Sequence, residues 1–158
     1  MRTKRFLFTG VLFATILLLG LTSCKKCTVA ETNLNTGSIV EEAIVYPKVG
    51  YLTDVVGIHV TGANQYSDEF EVSFDGGLTK VPVNWNAYDI VSNSMIVKCK
   101  ASFVRDVTID NVNNLVIYKV TATTCASCEA DRFVENFVLI PKVQAGYSVY
   151  TDQDIITN

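Results

Sequence analysis

The chain has 158 residues, 49% of them hydrophobic, and its 13 Lys and Arg against 16 Asp and Glu give a formal net charge of -3. A length of this order is enough for one domain with its own hydrophobic core. The mild acidic excess argues against nucleic-acid binding, which requires a basic surface. We therefore expect a single domain with no nucleic-acid partner.

The N-terminus has the pattern of a secretory signal. Basic residues at the start of the chain are followed by residues 6–21, a mostly apolar run without a charge. A basic segment followed by an apolar one is typical of a signal peptide. A membrane-spanning helix needs about 20 apolar residues, whereas this run is interrupted by Gly10 and Gly20. We expect residues 1–23 to be the signal peptide.

Directly behind the apolar run, Leu21, Thr22 and Ser23 precede Cys24. The stretch resembles a bacterial lipobox, in which an apolar residue and two small residues precede the cysteine that receives a diacylglyceryl thioether. The resemblance implies cleavage in front of Cys24 and a membrane anchor of two or three acyl chains. Such an anchor is stable because each buried methylene contributes about 0.8 kcal/mol. An ordinary signal peptide or an uncleaved signal anchor would leave Cys24 without lipid.

Residues 24–38 are predicted to form a lipidated, flexible tether. They are rich in Thr, Asn and Gly and show neither a helical nor a strand period. Lys25 follows the lipid cysteine, so the chain has neither the aspartate that retains lipoproteins in the inner membrane nor the acidic run of many Bacteroidetes surface lipoproteins. The resemblance to Bacteroidetes-type envelope lipoproteins then implies an outer-membrane anchor, on the periplasmic face.

Residues 39–158 are predicted to form one all-β domain. Short β-branched and aromatic runs alternate with turn residues, and almost no segment has a 3.6-residue period. In residues 69–74, Phe70, Val72 and Phe74 alternate with polar residues, which is typical of a strand with one buried face. The pattern favours an immunoglobulin-like β-sandwich, with a small β-barrel as the alternative. The predicted strands are 39–46, 55–61, 69–74, 80–85, 88–91, 95–109, 115–124, 133–141 and 147–150.

Apart from the lipobox cysteine, the chain has Cys27, Cys99, Cys125 and Cys128. An even number in an oxidising compartment favours disulfides. Residues 110–114 mark a turn, and a hairpin around Asn111 and Val112 would give paired residue numbers that sum to about 224. This places Cys99 opposite Cys125 at a distance suited to a disulfide. Cys27 would then pair with Cys128 and fasten the tether to the domain. The competing pairing joins Cys125 to Cys128 and Cys27 to Cys99.

Cys125 and Cys128 also form a C-x-x-C motif, which in thioredoxin-like proteins is a dithiol redox centre. The departures from that family are large: Thr124 precedes the motif where the family has tryptophan, and no βαβ pattern comes before it. Zinc binding would need further ligands, and His59 is the single histidine, in a position that favours a solvent-facing imidazole. We therefore expect structural disulfides, no metal and no cofactor.

The sequence contains no G-x-S-x-G elbow and no phosphate-binding glycine loop, and one histidine restricts base-dependent nucleophilic catalysis. An enzyme is therefore disfavoured, although catalytic Asp or Glu residues that lie far apart in the chain would leave no sequence motif. Trp85 and Tyr88, near a turn at residues 84–86, are the candidates for an aromatic binding surface. We expect a lipid-anchored module of the cell envelope that binds or supports a protein partner. The alternative is a periplasmic dithiol redox or metal-handling lipoprotein that uses Cys125 and Cys128.

A non-reducing peptide map of the protein from bacterial envelopes tests the anchor and the disulfides together. We expect the N-terminal peptide to begin at Cys24 and to carry the mass of acyl chains, and Cys24→Ser to abolish that mass because serine lacks the thiol. The other four cysteines are expected to resist alkylation. An N-terminal peptide that retains residues 1–23 would contradict the lipobox interpretation, and alkylated Cys125 and Cys128 would favour the redox alternative.

Overall fold

The computed structural model of the protein describes residues 29–48, 57–63, 66–98, 100–125 and 130–158. This part of the chain is all-β, as predicted, with a short 3-10 turn at Ser67–Glu69. In chain order the strands are β1 (Asn33–Gly37), β2 (Ile44–Pro47), β3 (His59–Val60), β4 (Phe70–Ser73), β5 (Val81–Pro82), β6 (Tyr88–Lys98), β7 (Ala101–Asp110), β8 (Leu115–Thr124), β9 (Asp131–Pro141) and β10 (Ser148–Thr157).

The strands form three sheets. Sheet A has the order β1-β7-β8-β10, sheet B the order β2-β4-β5, and sheet C the order β3-β6-β9. The pairs β1 with β7 and β8 with β10 are parallel, and the other pairs are antiparallel. Within the described residues each sheet ends in two edge strands, so none closes into a barrel. The prediction of an all-β sandwich is confirmed.

Sheet C is the central layer, because β6 and β9 bury side chains on both faces. On one face, Val91, Met95 and Val138 pack against β7 and β8 of sheet A. On the other face, Ile90 and Leu139 pack against β4 of sheet B. A strand that is covered on both sides needs apolar or small residues at nearly every position, and nearly all of β6 is buried. Two hydrophobic clusters therefore hold three sheets together.

β1 lies inside the segment that was predicted to be a flexible tether. Its neighbouring backbone is joined to β7 at both ends: Phe103 N donates to Thr32 O (2.8 Å) and Ser38 N donates to Val107 O (2.8 Å). The prediction of an irregular tether is therefore wrong for Asn33–Gly37. Composition misled here because main-chain hydrogen bonds form irrespective of the side chains that the strand carries.

Other strand boundaries differ from the prediction to varying degrees. β8 has the predicted bounds, whereas the predicted strand 95–109 is divided between β6 and β7 because the chain passes from sheet C to sheet A after Lys98. β10 extends beyond residue 150 to Thr157 because it pairs with the whole of β8. Residues 55 and 56, predicted to begin a strand, lie outside the described residues.

The hairpin of β7 and β8 has a different register from the predicted one. Ala101 pairs with Thr124, so paired residue numbers sum to 225. The turn is centred half a residue later than expected because the Asp110 carboxylate accepts hydrogen bonds from Val112 N (2.9 Å) and Asn113 N (3.1 Å). These bonds hold a longer loop, and a shift of one residue changes which side chains are opposed.

The central position of sheet C predicts the effect of a cavity there. Leu139 is 0% exposed, and Leu139→Ala is expected to lower the free energy of unfolding by about 2 to 5 kcal/mol, because it removes buried methyl groups and leaves a cavity. Leu78, which is 88% exposed, provides the matched control, and Leu78→Ala should change the value by less than about 0.5 kcal/mol. Urea unfolding measures both values, provided that the dependence of the unfolding free energy on urea concentration has the same slope for each variant. Similar unfolding midpoints for the two variants would contradict the burial of sheet C on both faces.

Candidate functional site

A groove opens where the edges of the three sheets come together: β1 of sheet A, β2 of sheet B and β9 of sheet C. Its volume is about 810 Å³. We call it the Arg105 groove. One side is formed by Asn33, Asn35 and Arg105, and the other side includes Phe133 and Phe137. The lining also includes Glu31, Arg132 and Glu135, and Arg132 Nη1 lies 3.6 Å from Glu31 Oε1. The groove therefore combines polar, charged and aromatic side chains.

Arg105 lies at an inward-facing position of β7, on the same face as buried Phe103. Its Nε donates to Asn136 Oδ1 (3.0 Å). Its two terminal nitrogens donate to the Oδ1 atoms of Asn35 (3.5 Å) and Asn33 (3.4 Å). All three acceptors are neutral amides. Within the described part of the chain, no carboxylate forms an ion pair with Arg105.

The groove therefore holds a permanent, partly desolvated positive charge. Burial lowers the pKa of Arg105, yet a guanidinium stays protonated in proteins. Of its five N–H donors, the two directed at Asn33 and Asn35 form long bonds of 3.4 and 3.5 Å. An anionic acceptor can therefore bond the terminal nitrogens while Nε keeps its bond to Asn136.

Asn136, which anchors the guanidinium, is itself held in place. The buried Tyr118 hydroxyl donates to Asn136 O (2.9 Å), and Asn136 Nδ2 donates to Asn93 O (3.3 Å) on the paired strand β6. Burial raises the pKa of Tyr118, so its hydroxyl remains a donor at neutral pH. This chain of buried hydrogen bonds fixes the orientation of Arg105 before any ligand arrives.

The opposite side of the Arg105 groove carries two aromatic rings, with Arg132 and Glu135 beside them on β9. The Phe137 ring packs against Phe70 in an edge-to-face arrangement, with 5.2 Å between the ring centroids. Phe133 is 40% exposed. The Arg105 Cζ atom lies 5.8 Å from the centroid of the Phe103 ring. Such a surface suits a ligand that combines an anionic group with apolar parts.

A second charged cluster lies elsewhere, on β6. The Asp89 carboxylate is 1% exposed; it accepts hydrogen bonds from Lys142 Nζ (2.7 Å) and Val143 N (3.0 Å) and lies 3.1 Å from His59 Nε2. The cluster joins β6 to β3 and to the segment after β9. His59 was expected to face solvent, but it is only 28% exposed, because β3 places it beside Asp89.

The predicted aromatic binding residues do not line the Arg105 groove. Trp85 and Tyr88 are partly buried against the hydrophobic cluster between sheets B and C. A Cβ atom at Gly62 would lie 2.6 Å from Trp85 Cβ, so the glycine permits this close packing. The Tyr88 ring centroid lies 6.1 Å from that of Phe74. The two residues share one region of the surface, and their binding role stays a prediction.

Sequence reasoning missed Arg105 and Asn136, although a signal was present for the first. The inward positions of β7 carry Ala101, Phe103 and Val107, and Arg105 interrupts this apolar series. A charge in the apolar phase of a strand indicates a compensating polar network, because an isolated buried charge costs too much free energy. The sequence does not show which residues provide that network.

Cys125 is disulfide-bonded, whereas the other four cysteines, the lipidation candidate Cys24 among them, lie outside the described residues. In the observed register, one more pair of the β7–β8 ladder would place Lys100 opposite Cys125, and not Cys99. The ladder argument for a bond between Cys99 and Cys125 is therefore wrong. The pairing itself stays a prediction for the peptide map.

Protein-family models, curated proteins and solved structures were compared with the chain, and none of them matches it. Its function must therefore be inferred from its own residues. In the described ranges, no helix is long and apolar enough to cross a membrane. Across the same residues, no group of three or more His, Cys, Asp or Glu side chains is placed to hold a metal ion.

The charged cluster around Asp89 predicts that an Asp-to-Asn substitution lowers the free energy of unfolding far more at position 89 than at an exposed position. Asp89→Asn removes a buried negative charge that faces Lys142, so we expect the free energy of unfolding to fall by about 2 to 3 kcal/mol. Asp131, which forms an ion pair with Lys98 and is 61% exposed, is the control, and Asp131→Asn should cost less than about 1 kcal/mol. Equal losses in urea unfolding would contradict a structural role for Asp89.

Proposed function

We propose that this chain is a lipid-anchored, non-enzymatic binding module of the cell envelope, and that it binds a protein partner through the Arg105 groove. The observation that carries the proposal is the state of Arg105 itself. Its guanidinium is partly desolvated, is bonded only to neutral amides among the described residues, and faces an open groove. Holding a charge in this way costs free energy, which an anionic ligand would offset.

The construction of the groove supports binding without a large conformational change. The named residues on its sides belong to strands β1, β7 and β9, and Asn136 is fixed by the bond from Tyr118. A binding site on paired strands loses little conformational entropy when a ligand is bound. The exposed part of Phe133 would be covered at the same time, which adds a favourable hydrophobic contribution.

The N-terminal resemblance to lipoproteins supports the envelope location. Only a short segment separates Cys24 from Asn33, the first residue of β1, and even fully extended it would span only about 30 Å. A lipid at Cys24 would therefore keep the Arg105 groove close to the membrane surface. The partner that this arrangement favours is a protein with a segment exposed near the same membrane.

Photo-crosslinking in bacterial cells that produce the full chain tests this function. A benzophenone amino acid at position 133 replaces Phe133 in the groove, and the control carries it at position 104. Phe133 and Val104 are both 40% exposed, but Val104 lies on the opposite face of sheet A, paired with Thr121. We expect a discrete protein adduct from position 133 that is lost when Arg105→Gln is added, because the partner requires the guanidinium.

The same adducts from positions 133 and 104, or an adduct from position 133 that persists unchanged with Arg105→Gln, would contradict the proposal. So would the absence of any adduct from position 133 in cells where the chain is acylated and folded. Circular dichroism of the purified variants establishes that they fold.

A further inference from the structure

The edge of β1 that faces away from β7 has no partner strand among the described residues. Phe103 N bonds to Thr32 O and Ser38 N bonds to Val107 O, so the even-numbered residues of this segment point their main-chain groups at β7. In a parallel ladder, the main-chain N–H and C=O groups of successive residues point alternately to the two edges of the strand. Those of Asn33 and Asn35 therefore point away from β7. No described strand pairs with that edge.

β1 also lacks the features that usually protect an edge strand. Its sequence is NLNTG, which contains no charged residue and no proline, whereas exposed edges are commonly blocked by lysine, proline or inward-pointing charges. β10, at the other edge of sheet A, carries Asp152 and Asp154. Of the two edges of sheet A, the β1 edge is therefore the less protected against a further strand.

A strand added to β1 would direct every second side chain into the Arg105 groove. Asn33 and Asn35 share the inward face with Arg105, which their paired positions on β7 establish. Neighbouring strands lie about 4.8 Å apart and side chains alternate between faces. An inward side chain of the added strand would therefore lie beside the two asparagines and their long bonds to the guanidinium. Inward side chains on either side of it would enter the same groove, whose lining includes Phe103, Phe133 and Phe137.

We propose that the partner segment is an extended polypeptide that pairs with β1 and places an acidic side chain on Arg105, with apolar residues two positions before and after it. The inference rests on the proposed function and names its ligand. Main-chain hydrogen bonds would supply affinity, and the carboxylate on Arg105 would supply specificity. An acidic glycan would satisfy the guanidinium, but it has no peptide backbone with which to continue the hydrogen-bond ladder of sheet A at β1.

Blocked synthetic peptides test this ligand class directly on the purified, acylated full chain in detergent. The probe is the heptapeptide TVTETVT, whose valines and glutamate lie on one face of a strand, and the control probe is TVTQTVT, which differs by one carboxylate. We expect the acidic probe to bind about tenfold more tightly or better, as measured by the anisotropy of a neutral dye, because a carboxylate on a fixed guanidinium forms charge-assisted hydrogen bonds.

Substitutions then assign the difference to Arg105. Arg105→Gln should abolish the preference for the acidic probe and leave the affinity for the glutamine probe nearly unchanged. Lys119→Gln is the control, since it removes the same charge from the outward face of β8, where Lys119 pairs with Asp152 and Asp154. It should keep the preference. If Arg105→Gln unfolds, Arg105→Lys, which keeps the charge without the planar fork, should reduce the preference.

Equal binding of the two probes, or binding of neither at millimolar concentration, would overturn the proposed ligand class. Binding of oligogalacturonate as tight as that of the acidic peptide would overturn it in favour of an acidic glycan. Self-association that Arg105→Gln abolishes would identify a second copy of the chain as the occupant, again against the proposal. If a groove-specific adduct forms in cells but neither peptide binds the purified protein, the proposed binding function is supported and only this ligand class is rejected.

Discussion

The structure depends on the burial of sheet C on both faces. Because both faces are covered, polar side chains on β6 and β9 need partners inside the protein. Ser92 Oγ accepts a hydrogen bond from Ile58 N (3.4 Å), and Asn93 Nδ2 donates to Asp152 O (2.7 Å) on β10. The first bond lies within sheet C, where Ile58 directly precedes β3, and the second reaches β10 of sheet A. The central layer therefore combines hydrophobic packing with a polar link to sheet A.

The same constraint produces the site. Sheets A and B cover sheet C from opposite sides, and their edge strands β1 and β2 leave a groove beside β9. Arg105 lies at an inward position in which an apolar residue would satisfy the core equally well. The chain instead supports a charge there with three asparagines and the Tyr118 hydroxyl. A costly charge in a preformed groove is the kind of feature that binding explains better than stability does.

The sequence predicted particular elements well where local chemistry decides the conformation. The predicted strand 115–124 has the bounds of β8, whose residues alternate between buried and part-buried. The hairpin turn between β7 and β8 also lies at residues 111–114, inside the predicted range. β1 was missed because its Asn and Thr residues carry no strand signal, and the parallel bonds to β7 come from far along the chain. The hairpin register was missed because the Asp110 carboxylate, and not the turn sequence alone, sets the loop length.

By itself the sequence determined the all-β class, the positions of several turns and an N-terminal segment with the pattern of a lipoprotein signal, since each depends on residues close together in the chain. Only the tertiary structure decided the order of the three layers. It also decided the hydrogen bonds of Arg105 to Asn33, Asn35 and Asn136. The physical reason is that hydrophobic periodicity records which face of a strand is buried, but not which strand or sheet covers it. The candidate site was therefore visible only after the layers were in place.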